Sequence, residues 1–202
     1  MCRNLLNALL ALGCNGGLAG CASSPPVHFY TLHAVRPGSA ETGAAGSPVR
    51  ITVVHIPASL DCDEIARRIT PDTVAFSDQH RWAAPLDQII QRVLTEDLMQ
   101  RLPAERVLAP QSPLPPHATE IVIDLVRFDR DPSGVVELDG RWSLLRAGTG
   151  KLLQSRPLHL HVRSDGEDYA SQTEAMSTAL GRVADVIASA LDGSRHADGD
   201  RS

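Results

Sequence analysis

Leu18-Ala19-Gly20-Cys21 sets a thiol directly behind two small residues and a branched one, at the end of an apolar run. A cysteine in that setting is an acceptor for lipid. Its sulfur takes a diacylglyceryl group as a thioether, a protease cuts just before it, and the new amino terminus takes a further acyl chain such as palmitate. The flanks fit this chemistry. Arg3 gives a positive start, and Leu5 to Leu12 (LLNALLAL) is apolar but too short to span a bilayer as a helix. Ala19 and Gly20 suit a protease with a narrow cleft. Cys14 is a rival, preceded by Ala11-Leu12-Gly13. Cutting there would cramp the apolar run and put Ala11 where a branched residue belongs. The sequence thus predicts a lipoprotein signal peptide over residues 1–20 and lipid attachment at Cys21. An ordinary secretory signal with an incidental cysteine is the alternative. One acyl chain holds a protein to a membrane only marginally, and the chains on such a cysteine exceed that threshold. Ala22 follows, where Asp would signal retention at the inner membrane. The expected place is therefore the periplasmic face of the outer membrane, lipid-anchored.

Other candidate chemistry is thin. There is no Gly-x-Ser-x-Gly elbow and no phosphate-binding loop, so any ATP hydrolysis would belong to a partner. No cofactor is expected, and the chain reads as a non-enzyme. His159 and His161 share a strand face and could chelate a metal if His55, His80 or His117 came near. No third ligand has a fixed spacing, so they read as solvated side chains and no metal is expected. After signal removal Cys62 is the one cysteine besides Cys21. This excludes a disulfide framework and suits a small buried residue better than a reactive thiol. Asp61, Asp63 and Glu64 around it read as loop solvation. Asp124 lies among strand residues and is expected to pair with Arg127 or Arg141. Trp82 and Trp142 are two of the seven aromatic residues. Both fit a core. Trp82, with Arg81, is also the candidate contact for a partner protein.

Removal of the first 20 residues leaves 182, enough for one domain with a sizeable core. It also leaves 18 basic against 24 acidic residues, a net charge of −6. That mild acidity argues against nucleic acid as a partner. The elements follow from pattern. Residues 21–26 are a tether and 27–192 the folded domain. Val27 to Leu32 and Arg50 to Ile56 are strands, with a Gly/Ala/Ser-rich loop from Arg36 to Ser47 between them. Ile65 to Ile69 and Thr73 to Phe76 form a small hairpin around Thr70-Pro71-Asp72. Pro85 opens a helix whose apolar stripe runs Leu86, Ile89, Ile90, Val93, Leu94, Leu98, Leu102, and Pro103 stops it. Arg106 to Leu108 is a short strand. Glu120 to Asp129, the alternating run from Val136 to Leu144, and Lys151 to Arg163 form an antiparallel meander. A last helix runs from about Asp168 to Leu191, stops at Gly193, and leaves 193–202 as a disordered tail. The fold expected is α+β: one domain, a mostly antiparallel sheet, two main helices on one face.

In order along the chain come a lipoprotein cysteine, Phe29-Tyr30-Thr31-Leu32, a strand ended by proline, Arg81-Trp82-Ala83-Ala84-Pro85-Leu86 entering a helix, Val126-Arg127-Phe128-Asp129, Gly140-Arg141-Trp142 in a strand, and an Ala/Ser-rich closing helix. This arrangement resembles the ABC-type transport auxiliary lipoproteins, the PqiC/YmbA-like family. The chain departs from it in its brief link, Asp78-Gln79-His80, between the hairpin and Arg81. The resemblance implies a periplasmic domain that works with a periplasm-spanning MCE-domain protein and inner-membrane transporter subunits. Such systems move lipid between membranes and support envelope integrity. A carrier with its own lipid cavity is the alternative reading, and a homo-oligomer stays open.

Overall fold

Clean two-residue alternation over three successive runs builds the largest part of the molecule. The computed structural model describes residues 25–37 and 46–198. In it β5 (Thr119–Arg130), β6 (Val135–Arg146) and β7 (Lys151–Arg163) form the expected antiparallel meander. Before them come β1 (His28–Tyr30), β2 (Val49–His55), β3 (Glu64–Thr70), β4 (Thr73–Trp82) and α1 (Leu86–Met99); α2 (Tyr169–Asp198) closes the chain. The signal segment, Cys21, the middle of the Gly/Ala/Ser-rich loop (38–45) and the last four residues lie outside the described residues.

All seven strands join one sheet in the order β1-β4-β3-β5-β6-β7. β2 lies parallel along the first half of β5, from Val49 opposite Thr119 to His55 opposite Asp124. It leaves β3 to meet β5 only at its far end, Arg67 opposite Arg130. β1 also adds in parallel, to the end of β4. The α+β expectation therefore holds with a mixed sheet. A helix between β2 and β5 permits their parallel pairing, which no local pattern announces. Thr52 sits at an irregularity in β2, and the Gln91 side chain of α1 donates to the freed Ile51 and Thr52 carbonyls at 3.0 and 3.3 Å.

The core lies between the helices and the inner face of the sheet. Ile90, Leu94 and Leu98 of α1, Ile51 of β2, Trp142 of β6 and Ile187 of α2 are each at most 1% exposed. Pro85 caps α1 and accepts the Ile89 N–H at 3.1 Å. Gly140 faces a bulge in β5. A Cβ there would stand 2.3 Å from the Asp124 carbonyl oxygen, so only glycine lets the two strands close. Gly134, in the Asp131-Pro132-Ser133-Gly134 turn, has a φ of 85°. Among the described residues β7 is the terminal strand, bonded only to β6, and Pro157 stands in its middle.

Four expectations need correction. Arg106–Leu108 is not a strand. Ala104–Arg106 forms a 3-10 turn and only Val107 bridges to Val49, because the turn after Pro103 carries the Arg106 side chain inward to 5% exposure. The second hairpin strand does not stop at Phe76 but runs on through Trp82, with its irregular register absorbing Asp78-Gln79-His80. α2 does not stop at Gly193 but extends to Asp198. One glycine costs a helix about 1 kcal/mol, too little to end one whose neighbours favour it. Finally, Asp124 bonds His55 at 2.6 Å, not Arg127 or Arg141. The parallel β2 brings that histidine beside it, while Arg127 turns to Asp129 at 3.0 Å and to Glu137.

Candidate functional site

Alternation puts the outer face of the sheet opposite the apolar one, and that face is filled with paired charge. Besides His55–Asp124, Arg68 meets Asp129 at 2.7 Å and Asp139 meets His159 at 2.9 Å. Among the described residues no three His, Cys, Asp or Glu side chains gather closely enough to hold a metal ion. His161 is exposed, and His80 and His117 lie on other parts of the chain. Cys62 is half-buried. Burial pushes its thiol above the ordinary value against a hydrogen bond to the Glu64 carbonyl, and the Glu64, Asp63 and Asp61 charges push the same way. A thiol so placed is a poor nucleophile.

The chain enters the fold through Pro25 and Pro26, both exposed, and then forms β1 against β4. Here sit both residues marked as a partner contact. Trp82 is only 6% exposed, its backbone N–H donates to the Asp63 carbonyl at 2.7 Å, and the Ala83 backbone N–H donates to the Tyr30 carbonyl at 2.8 Å. Of the two roles left open for this indole, its burial favours core packing. Arg81 points the other way. It opposes Phe29 in register, pairs with Glu64 at 3.2 Å, and keeps a side chain 37% exposed.

Behind the same corner, four elements bring together a stack that no sequence pattern indicates. The His80 ring lies on Tyr169 at 4.0 Å and 16°, and its Nδ1 is 2.9 Å from the Tyr30 hydroxyl. The Arg67 guanidinium covers the Tyr169 ring at 3.6 Å and donates to Gln172 at 2.7 Å. Burial, then the charges of His28 and Arg67, hold the His80 imidazole below its ordinary value. The stack ties the entry strand to the start of α2.

A second cluster locks the helices. Asp97 of α1, fully buried, accepts the Val35 N–H at 2.8 Å and an Arg101 N–H at 3.2 Å, and Arg101 also donates to Asp185 of α2 at 2.6 Å. Burial is the largest influence on the Asp97 carboxyl and outweighs these donors, pushing it up to about 6. This cluster was visible in principle. Ile90, Val93, Asp97 and Arg101 fall at helical spacing, so two charges interrupt the apolar stripe. Near it, a cavity of about 600 Å³ opens between α2 and the outer strands. Gln154, Arg156, Asp185 and Ser189 line it with Trp142, Val186 and Ala190, so charged and apolar side chains share its wall.

Among the described residues the arrangement offers paired charge, a buried aromatic stack and an exposed corner. Residues 30–188 match the family model for the ABC-type transport auxiliary lipoprotein component. The chain is 25% identical over 173 residues to the intermembrane transport lipoprotein PqiC of Escherichia coli K12, covering 85% of this chain and 90% of that one. It is equally similar to PqiC of Shigella flexneri. Among solved structures, a Xanthomonas campestris protein shares the fold at 16% identity with a TM-score of 0.71, covering 85% of this chain and 99% of its own. An uncharacterized protein does so at 19% identity with a TM-score of 0.69, covering 83% and 99%. The order of elements, the Arg81-Trp82 entry to α1 and this match over most of the chain together show that the protein belongs to the ABC-type transport auxiliary lipoprotein family.

Proposed function

We propose that this protein is a non-catalytic auxiliary subunit of an MCE-type lipid transport system, acylated at Cys21 and held on the periplasmic face of the outer membrane. The observation that carries the reading is the pairing of family membership with the Leu18-Ala19-Gly20-Cys21 cleavage site. Its contribution is positional. An acyl anchor confines the domain to a surface and raises its effective concentration for a partner that ends there. In this reading the periplasm-spanning MCE-domain protein docks on the domain, inner-membrane transporter subunits drive the flow, and lipid crosses without meeting water. Arg81, with a side chain 37% exposed and paired with Glu64, is the contact we assign to this partner; Trp82 supports it from below.

Crosslinking in intact envelopes followed by pull-down should capture the MCE-domain protein. A Cys21→Ser protein that is still exported should fold normally yet lose both the capture and the support of envelope integrity. Full restoration of integrity by that variant would defeat the anchoring role. The carrier alternative needs an enclosed apolar cavity, whereas Arg156 and Asp185 put charge into the one beside Trp142. A lipid seen bound to the purified domain by native mass spectrometry would revive it.

A further inference from the structure

We infer that the corner made by β1 and the β3–β4 hairpin rests on the bilayer that holds the acyl anchor, with Val27 and Phe29 in contact with lipid. The inference rests on acylation at Cys21 and adds to it an orientation and a second, non-covalent contact.

Reach comes first. Pro25 lies four residues beyond Cys21. At roughly 3.5 Å per residue for a fully extended chain, the folded domain begins no more than about 14 Å from the lipidated sulfur. Pro25-Pro26 restricts the chain further, since proline fixes φ. A domain so short of slack must present some surface to the headgroups.

Direction selects the surface. β1 runs parallel to β4, with His28 opposite His80 and Tyr30 opposite Trp82. The chain therefore enters β1 from the side of the β3–β4 turn. Pro25 and Pro26 thus lead into β1 from the same side as the hairpin tip.

Chemistry agrees with direction. Of the three phenylalanines, Phe128 is in the core at 1% exposure, whereas Phe29 and Phe76, at 67% and 49%, are both on this corner. Val27, just before β1, and Ile69, next to the hairpin turn, are 45% and 52% exposed. Exposed apolar and aromatic side chains are what an interfacial element buries among headgroups and upper acyl chains. The corner's arginines are already engaged. Arg67 covers Tyr169, Arg68 pairs with Asp129, and Arg81 with Glu64. Asp72 and Asp78 add negative charge. The contact is accordingly apolar, and salt should not weaken it.

Tryptophan fluorescence tests this on the full acylated chain. Phe29→Trp and Val126→Trp variants would be reconstituted in phosphatidylethanolamine–phosphatidylglycerol vesicles containing acyl-brominated lipid. Val126 is 72% exposed and serves as the aqueous control, and the native Trp82 and Trp142, at 6% and 0%, set the baseline. The brominated lipid should quench the added emission of Phe29→Trp about twofold or more, at low and high salt alike, and leave Val126→Trp at baseline. Equal, weak quenching of the two variants overturns the inference. So does emission at position 29 that is shielded from iodide yet blind to brominated lipid, which would mean that protein covers the corner. Mass spectrometry of the same preparation separates the two levels. A bare Cys21 removes the anchor reading and this one with it, whereas an acylated protein with an aqueous Phe29→Trp removes only this one.

Discussion

Asp97 shows what a single buried carboxyl does to a fold's response to pH. Its folded-state value of about 6 lies above the 3.8 expected of an unfolded chain. Between roughly pH 4 and 6 the folded form keeps a proton that the unfolded form has shed. The contribution to stability is therefore full below about pH 4 and is lost as pH rises through about 6. His80 works in the opposite sense. Its imidazole is held below the ordinary value, so protonation on acidification favours the unfolded chain and stability is lost there as the pH drops. An Asp97→Asn variant retains His80, so their difference isolates the carboxyl. In urea titrations the stability of the native protein minus that of Asp97→Asn should shrink by about 2 kcal/mol between pH 4 and pH 7. A gap independent of pH would mean that Asp97 stays ionised throughout. The two charges in the α1 stripe could be read from spacing, but not their environment. The donors from Val35 and the reach of Arg101 to Asp185 come from parts of the chain far apart in sequence.

Elements with a strong period were legible, and elements defined by their neighbours were not. The stripe from Leu86 to Leu98 and the alternation from Val136 to Leu144 give helix and strand because each buries one face. The pairing of β2 with β5 and of β1 with β4 has no local signature, since a short strand fits either direction. The β3–β4 register is irregular for the same reason: Asp78-Gln79-His80 has no periodicity, and the Trp82 and Tyr30 contacts pull it into the sheet. Gly140 links sequence motif to packing. It stands in the Gly140-Arg141-Trp142 run because β5 bulges into the place a side chain would take. Gly140→Ala should cost about 2 kcal/mol or more and lower the melting temperature by roughly 5 °C. Circular dichroism melts would check this. A neutral substitution would show that β5 moves aside freely. In the candidate site, Arg81 and Trp82 were recognisable as a pair, but only the parallel register of β1 reveals that one faces inward and the other outward.

At the scale of the whole molecule, one face of the sheet is covered by helices and the other by paired charge, while the corner beside the entry strand is apolar. That leaves the long rim at β7, whose far side bonds no other strand. A protein tethered to a membrane diffuses in two dimensions, where neighbours collide far more often than in solution, and an open strand invites them to stack in rows. Pro157 has no N–H to offer and is tolerated in such a strand where its nitrogen points to solvent. A proline so placed removes one donor that a pairing neighbour would need. Replacing it by threonine, Pro157→Thr, should leave the isolated domain folded but promote clustering on vesicles, visible as slowed lateral diffusion of the labelled protein. Diffusion equal to that of the native protein would assign the guarding of this rim to other residues. Under the anchoring proposed above, a proline in the middle of a strand has its meaning in the crowd rather than in the single copy: it keeps neighbouring copies from becoming a sheet of their own.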